Sequence, residues 1–210
     1  MIGVIDYKAG NAPSVLNALQ KLNIASSLVS SPEDISRAAG LILPGVGSAR
    51  ATMESLREMG CLGVLEEKVL KDGVPFLGIC IGLQVLFDYS EEGDTECLGW
   101  IPGTVRRFPD EKVRVPQIGW NEVKFTKNHS VLTGLNNSEY FYFVNSYYVI
   151  PEMEEVMLAK TEYGIEFCSM IAHKNIYAAQ FHIEKSGAVG LKLLKNFALI
   201  AEGELCLQKD

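Results

Sequence analysis

The sequence lacks the features that would tie it to a membrane, a metal centre or a secreted disulfide scaffold. No uninterrupted apolar run reaches the roughly 20 residues a bilayer-spanning helix needs. The opening Ile2-Gly3-Val4-Ile5-Asp6 has no basic segment ahead of an apolar core, so no signal peptide is expected. The five cysteines are odd in number, irregularly spaced and without a C-x-x-C pair, which argues against a zinc site and for a reducing, cytoplasmic compartment. Positive charge is also short: 19 Lys and Arg against 26 Asp and Glu leave a formal net charge of -7. That balance gives no electrostatic reason to expect nucleic acid or an anionic membrane surface as a partner. Internal repeats and low-complexity linkers are missing too. At 210 residues the chain can bury a core of its own, and one domain over residues 1–210 is expected.

What is present falls into two halves. In the first, Ile2 to Ile5, Ser26 to Val29, Leu41 to Leu43 and Pro75 to Ile79 read as short buried strands. Gly10-Asn11-Ala12-Pro13-Ser14 offers a turn and helix start, after which Val15, Leu16, Leu19 and Leu22 share a helical face. Helical stretches of crossover length separate the third and fourth strands. Strand, helix, strand in repetition predicts an α/β fold: an open, mostly parallel sheet flanked by helices. From Gly103 onward the pattern changes to β-rich runs broken by turn residues, around Thr104–Phe108, Glu122–Phe125, Tyr140–Val144 and Glu155–Ala159. A hairpin should pair Phe167–Ala172 with Ile176–Gln180 across His173-Lys174-Asn175, and an amphipathic helix should close the chain around Val189 to Ile200. An antiparallel β layer is therefore added to the parallel sheet.

The stretch Val74 to Gln84 is where chemistry is expected. An apolar strand reaches Gly78, a single cysteine, Cys80, stands between two glycines, and Gln84-Val85-Leu86-Phe87 begins a helix-like pattern. A side chain held on a sharp strand-to-helix turn needs neighbours without bulk, which Gly78 and Gly82 supply. The N-terminus of a following helix favours a thiolate there. A buried structural thiol is the alternative use of such a residue. Ligands of open parallel sheets bind outside the carboxyl ends of the strands, where both Cys80 and Pro44-Gly45-Val46-Gly47 would lie.

A cysteine nucleophile needs a base, and three histidines are available. His129 sits in the polar run Lys127 to Ser130, an expected exposed loop, and His173 belongs to the hairpin turn. His182 follows an apolar strand where it enters a loop, with Glu184 two residues on. Placed there, His182 could take the thiol proton and return it to a leaving amine, and Glu184 could orient the imidazole.

Together, Gly78-Ile79-Cys80-Ile81-Gly82-Leu83-Gln84 and Gln180-Phe181-His182-Ile183-Glu184-Lys185-Ser186 resemble the class I (triad) glutamine amidotransferases. Further matches are Ile5-Asp6-Tyr7 with Gly10-Asn11, Leu43 to Gly47, Val115 to Asn121 and Tyr142 to Tyr148, so the similarity spans nearly the whole chain. Within that class the motifs are similar to those of the glutaminase subunits of imidazole glycerol phosphate synthases. The resemblance implies that Cys80 attacks the side-chain amide of glutamine, with His182 shuttling protons and Glu184 behind it. It implies an oxyanion held by backbone N–H groups at Ile81 and near Val46 and Gly47, glutamine contacts from Gln84, Glu92, Ser146 and Tyr147, and neither metal nor cofactor. It also implies a partner: a (β/α)8-barrel cyclase that receives the ammonia before water can protonate it, makes imidazole glycerol phosphate and AICAR in histidine biosynthesis, and switches the glutaminase on through a peptide flip near Val46. Asn11, Trp120 and Lys185 match positions at that interface, although Trp120 also reads as a core residue.

The chain departs from the family's pattern at Lys8-Ala9, Ser48-Ala49, Gln117, Asn145 and Ile183, where glycine, an aromatic, histidine, histidine and proline are usual. None of these is a triad position. They gather at the entrance and partner-facing motifs, which leaves two acceptors for the ammonia: the histidine-pathway intermediate, or a sugar of a surface polysaccharide in a paralogous pair. A non-catalytic binding module on the same fold is the reading from a different class.

Overall fold

The computed structural model describes residues 1–8 and 11–205. Ala9 and Gly10, part of the expected first turn, lie outside the described residues. The first half alternates as expected: β1 (Ile2–Ile5), α1 (Ala12–Lys21), β2 (Ser26–Val29), α2 (Pro32–Ser36), β3 (Gly40–Leu43), α3 (Ala49–Glu58), α4 (Leu62–Glu66), β4 (Phe76–Ile79) and the one-turn α5 (Ile81–Gln84). These strands are parallel, in the spatial order β2-β1-β3-β4. Every residue of β1, β3 and β4 is buried, because neighbouring side chains on a strand point to opposite faces and here both faces are covered. Val4, Ile42 and Leu77 join one core; Ile5, Leu41 and Phe76 join the other. The first core includes Val15 and Leu19 of α1, and the second includes Ile35 of α2, Met53 and Leu56 of α3 and Leu65 of α4.

The second half supplies β5 (Tyr89–Ser90), β6 (Thr95–Glu96), β7 (Gly103–Arg107), β8 (Gln117–Phe125), β9 (Ser138–Asn145), β10 (Tyr147–Pro151), β11 (Met157–Glu162), β12 (Glu166–His173), β13 (Ile176–Ala179) and α6 (Gly187–Ala201). The expected hairpin is β12–β13, paired antiparallel from Met170↔Ala179 to His173↔Ile176. β13 then lies parallel to β4, so the hairpin welds the antiparallel strands onto the parallel ones in a single 13-stranded sheet. β12 pairs with β13, β10 and β11, and three partners on two edges divide the sheet into branches. One branch runs through β10 and β7 to β5 and β6; the other runs through β11 to β8 and β9. α6 packs Leu193, Leu194 and Phe197 into the same core as α1.

Several elements differ from the sequence reading, the short β5 and β6 among them. The helix expected to begin at Gln84 instead ends there, and Val85, Leu86 and Phe87 are apolar because they turn within the second core. β8 starts at Gln117, well before the run at Glu122, and β10 was not foreseen as a strand. His129, expected in an exposed loop, is partly buried: its Nδ1 accepts from Val131 N at 3.2 Å, capping a short 3-10 turn, and its ring meets that of Tyr177.

Candidate functional site

Three adjacent parallel strands deliver the site. The register Leu43↔Gly78 and Ala179↔Ile79 brings the carboxyl ends of β3, β4 and β13 side by side. The segment Pro44 to Gly47, Cys80, and Gln180 to His182 leave the sheet at the same edge, the usual place for a ligand in such a sheet. Cys80 has φ 55° and ψ −106°, in the region that side chains rarely adopt. Its backbone N–H still donates to Ala179 O at 2.8 Å, so the strand pairing continues to the nucleophile position before the chain turns. The two glycines are required by contact: a Cβ on Gly78 would collide with the Gly82 carbonyl, and one on Gly82 with the carbonyl of Leu43. Because α5 is one turn of four residues, its dipole is a small fraction of a full helix's, and the expected helix-end stabilisation of a thiolate is correspondingly weak.

The stronger electrostatic partner is His182. Its ring is 1% exposed, with Nδ1 3.0 Å from Glu184 Oε1, which leaves Nε2 for the sulfur. Burial on its own pushes the imidazole down. Hydrogen bonds and charge from Cys80 and Glu184 outweigh it and raise the pKa to about 9. Glu184 Oε1 also accepts from Asn11 Nδ2 at 2.5 Å, and the Glu184 side chain is as buried as the ring it faces. The Asn11 amide, expected at a partner surface, also braces this carboxylate, a contact across 173 residues of sequence that no local pattern signals.

A cavity of about 280 Å³ opens above these groups. Cys80, His182 and Ile81 form its floor with Gln84, and Val46 and Gly47 stand on one side. Glu92, Asn145, Ser146, Tyr147 and Lys185 complete the wall. All four expected substrate contacts and all three expected oxyanion residues are therefore brought together. Gly47 has φ +110°, and Val46 is exposed. The Gly45 position is tight, since a Cβ there would strike Ile81 and lie 2.6 Å from the Tyr7 hydroxyl. Glu92 Oε2 accepts from Ala49 N at 2.8 Å at the start of α3, while Ser48 caps the same helix by accepting from Ala51 N. Burial raises the Glu92 carboxyl above the usual carboxylate range, partly offset by the Ala49 N–H.

Gln84 is 3% exposed and donates through Nε2 to Tyr147 O at 3.2 Å and to Gln180 Oε1 at 2.9 Å. Both amide protons are thereby committed, so it can offer a ligand only its carbonyl oxygen. Gln180, fully buried, donates in turn to Cys80 Sγ at 3.6 Å. The sequence reading gave Gln180 no role, because its place opposite Cys80, one step past Ala179↔Ile79, is set by the pairing of β13 with β4.

Trp120 is 54% exposed, which removes the core reading. It lies on the β8–β9 face with Ile118 and Tyr140, also exposed, and its ring meets Tyr142 edge-on at 6.1 Å. Tyr142 O accepts the backbone N–H of His182 at 2.8 Å, so this apolar face adjoins the cavity. Lys185 is exposed beside it. Among the described residues, no group of three or more His, Cys, Asp or Glu is arranged to hold a metal ion, and no helix is long and apolar enough to cross a membrane.

Comparison with known proteins accords with this geometry. A protein from Dehalococcoides mccartyi named imidazole glycerol phosphate synthase subunit HisH is 46% identical over 205 residues, covering 97% of this chain and 99% of its own. A protein of the same name from Herpetosiphon aurantiacus is 48% identical, covering 96% and 95%. A solved structure described as a glutamine amidotransferase superposes with a TM-score of 0.75 at 22% identity, covering 96% of this chain and 98% of that one, a likeness of fold. The model of the class-I glutamine amidotransferase family matches residues 3–201, and the chain belongs to that family.

Proposed function

We propose that this chain, acting as one domain over residues 1–210, is the glutaminase subunit of an imidazole glycerol phosphate synthase. The observation that carries the proposal is the joint geometry of Cys80, held at a left-handed φ on a sharp turn, and His182, both lining one cavity, with Glu184 buried behind the imidazole. The Cys80 thiolate attacks the side-chain amide carbon of glutamine. The resulting oxyanion is met by Ile81 N–H, which as the first residue of α5 has no intrahelical acceptor, and by the peptide around Val46 and Gly47. The C–N bond then breaks as the His182 imidazolium gives its proton to the leaving nitrogen, so ammonia departs and a glutamyl thioester remains. His182, now neutral, takes a proton from water as it attacks the thioester, and glutamate leaves with the thiolate restored.

Glu92, Ser146 and Tyr147 at the cavity wall fit the α-amino and α-carboxylate ends of glutamine, and the Gln84 carbonyl fits its ammonium. The exposed Ile118, Trp120 and Tyr140 face beside the cavity fits a (β/α)8-barrel cyclase docked to receive ammonia before it meets water. Lys185 at the cavity wall and Asn11, bonded to Glu184, are the further residues proposed to meet that partner. The Gly47 backbone, at φ +110°, supports a partner-driven peptide flip that completes the oxyanion hole. Cys61, Cys80, Cys97 and Cys168 are free thiols, in keeping with a reducing cytoplasm. The sugar acceptor and the binding module gain nothing from the relatives reported above, which carry the imidazole glycerol phosphate synthase name.

The test is Cys80→Ala in the complex with the cyclase. Glutamate production should be abolished while synthesis from added ammonia persists. Loss of both activities would contradict the division of labour, and brisk glutamate release by the wild-type chain without any partner would point to a standalone hydrolase.

A further inference from the structure

Two groups other than His182 meet the Cys80 sulfur, and they pull in opposite senses. The Val144 carbonyl oxygen lies 3.8 Å from Sγ, where it can accept from a neutral thiol and repels a thiolate. The Gln180 amide donates to Sγ at 3.6 Å, which favours the thiolate and gives a neutral thiol much less. The orientation of that amide is not free. Gln180 Oε1 accepts from Gln84 Nε2 at 2.9 Å, and Gln84 Nε2 is itself fixed by Tyr147 O at 3.2 Å, so the end of Gln180 that faces the sulfur must be its NH2. Both glutamines are buried, and water does not replace these bonds.

We propose that Gln180 is a further catalytic residue, whose amide N–H holds the Cys80 sulfur as a thiolate in its attacking position, with Gln84 as the positioning residue that orients it. The chain from the Tyr147 carbonyl through Gln84 and Gln180 to the sulfur links the wall that would meet glutamine to the atom that attacks it. When the thiolate bonds to the amide carbon its charge passes to the oxyanion, and the Gln180 contact weakens as the oxyanion contacts form. The inference rests on Cys80 being the nucleophile of the glutaminase reading. The other titratable groups around the sulfur are His182 with Glu184 behind it, Tyr7 after β1, and Glu92 and Lys185 at the cavity wall. Gln180→Met leaves each of these in place, and Gln180→Glu adds one carboxyl group to them.

The test uses the full chain and two variants. Gln180→Met removes the donor at similar volume; Gln180→Glu keeps the acceptor for Gln84 and sets a carboxylate against the sulfur. Alkylation of Cys80 by iodoacetamide, followed on the Cys80 peptide across pH, reads the thiolate without glutamine. Its pH profile should move to higher pH in Gln180→Met and further in Gln180→Glu. With the barrel partner present, kcat for glutamate release near neutral pH should fall several-fold in both variants through the smaller thiolate fraction, less than full loss of a hydrogen bond to a charged group gives because the contact weakens toward the transition state, while KM stays within about twofold. A structural role alone would lower the melting temperature without ordering the alkylation profiles. Unchanged profiles in both variants would overturn the assignment. Wild-type protein that releases no glutamate with any partner would defeat the glutaminase reading, whereas the alkylation order would still decide for or against Gln180 as the thiolate's donor.

Discussion

At His182 two opposing effects meet, and their balance sets a pH range. Burial disfavours the charged ring, yet Cys80 and Glu184 together raise its pKa to about 9, against about 6.5 for a free histidine. The folded state therefore binds a proton that the unfolded chain gives up earlier. Stability from this group is fully present below about pH 6.5 and is lost as pH rises through about 9. We expect the urea midpoint to decline across that window, and to decline less in Glu184→Gln, whose neutral amide holds the imidazolium more weakly. A midpoint that rose over the window would contradict the sign. In the proposed mechanism catalysis carries the same signature, because the leaving nitrogen would take its proton from the imidazolium. The kcat/KM for glutamine should fall above about pH 9, and in Glu184→Gln that alkaline limb should begin at lower pH. An unmoved limb would release Glu184 from its orienting role.

At the level of single elements, the glycines of the site divide into those fixed by contact and those fixed by backbone conformation. Gly82 lies against the Leu43 carbonyl, and Gly82→Ala forces β3 and α5 apart; a loss of about 1–3 kcal/mol in stability is expected, measured by denaturant unfolding, together with glutaminase activity. Gly47 has nothing within 4 Å of a Cβ but sits at φ +110°, so Gly47→Ala strains only the local backbone. Its activity should fall with a smaller loss of stability than in Gly82→Ala, because nothing packs against the position and the segment can relax. Equal destabilisation by the two substitutions would undo the distinction. The same division explains how much could be read from sequence. β1, β3 and β4 are buried on both faces, so each is a continuous apolar run with evident ends, and the Cys80 turn follows from Gly78 and Gly82. The first half of β8 alternates in burial, but its inward positions are Gln117, Gly119 and Asn121 while the apolar Ile118 and Trp120 face outward, and β10 mixes buried, half-buried and exposed positions without alternation, which hides both. Val85 to Phe87 imitate a helix because a turn wholly inside a core is as apolar as a helix would be. Asn11 and Gln180 act through partners 173 and 100 residues away, and no window of sequence contains both ends of such a bond.

For the whole molecule, the sheet has one end that does chemistry and a neighbouring face left without cover. The β8–β9 hairpin turns Ile118, Trp120 and Tyr140 outward, at 64%, 54% and 60% exposure, directly beside the cavity in which ammonia would be released. Large apolar side chains at that exposure cost solvation in an isolated chain, and grouping them at the mouth of the site is economical only if a second protein covers both. A docked barrel would bury the tryptophan and seal the exit route in one contact. Trp120→Ala should then weaken association with the cyclase by about 2 kcal/mol or more, the loss expected of a buried aromatic anchor. Leu70, exposed at 49% near the end of the helical crossover before β4, is the matched control: Leu70→Ala should leave the affinity unchanged. Calorimetric titration of each variant with the cyclase measures the difference. The coupling adds a second readout, since a loosened interface should raise the fraction of released ammonia found in solution relative to glutamate formed. Equal affinity for the wild-type and Trp120→Ala chains, with no added leakage, would move the docking surface away from this face.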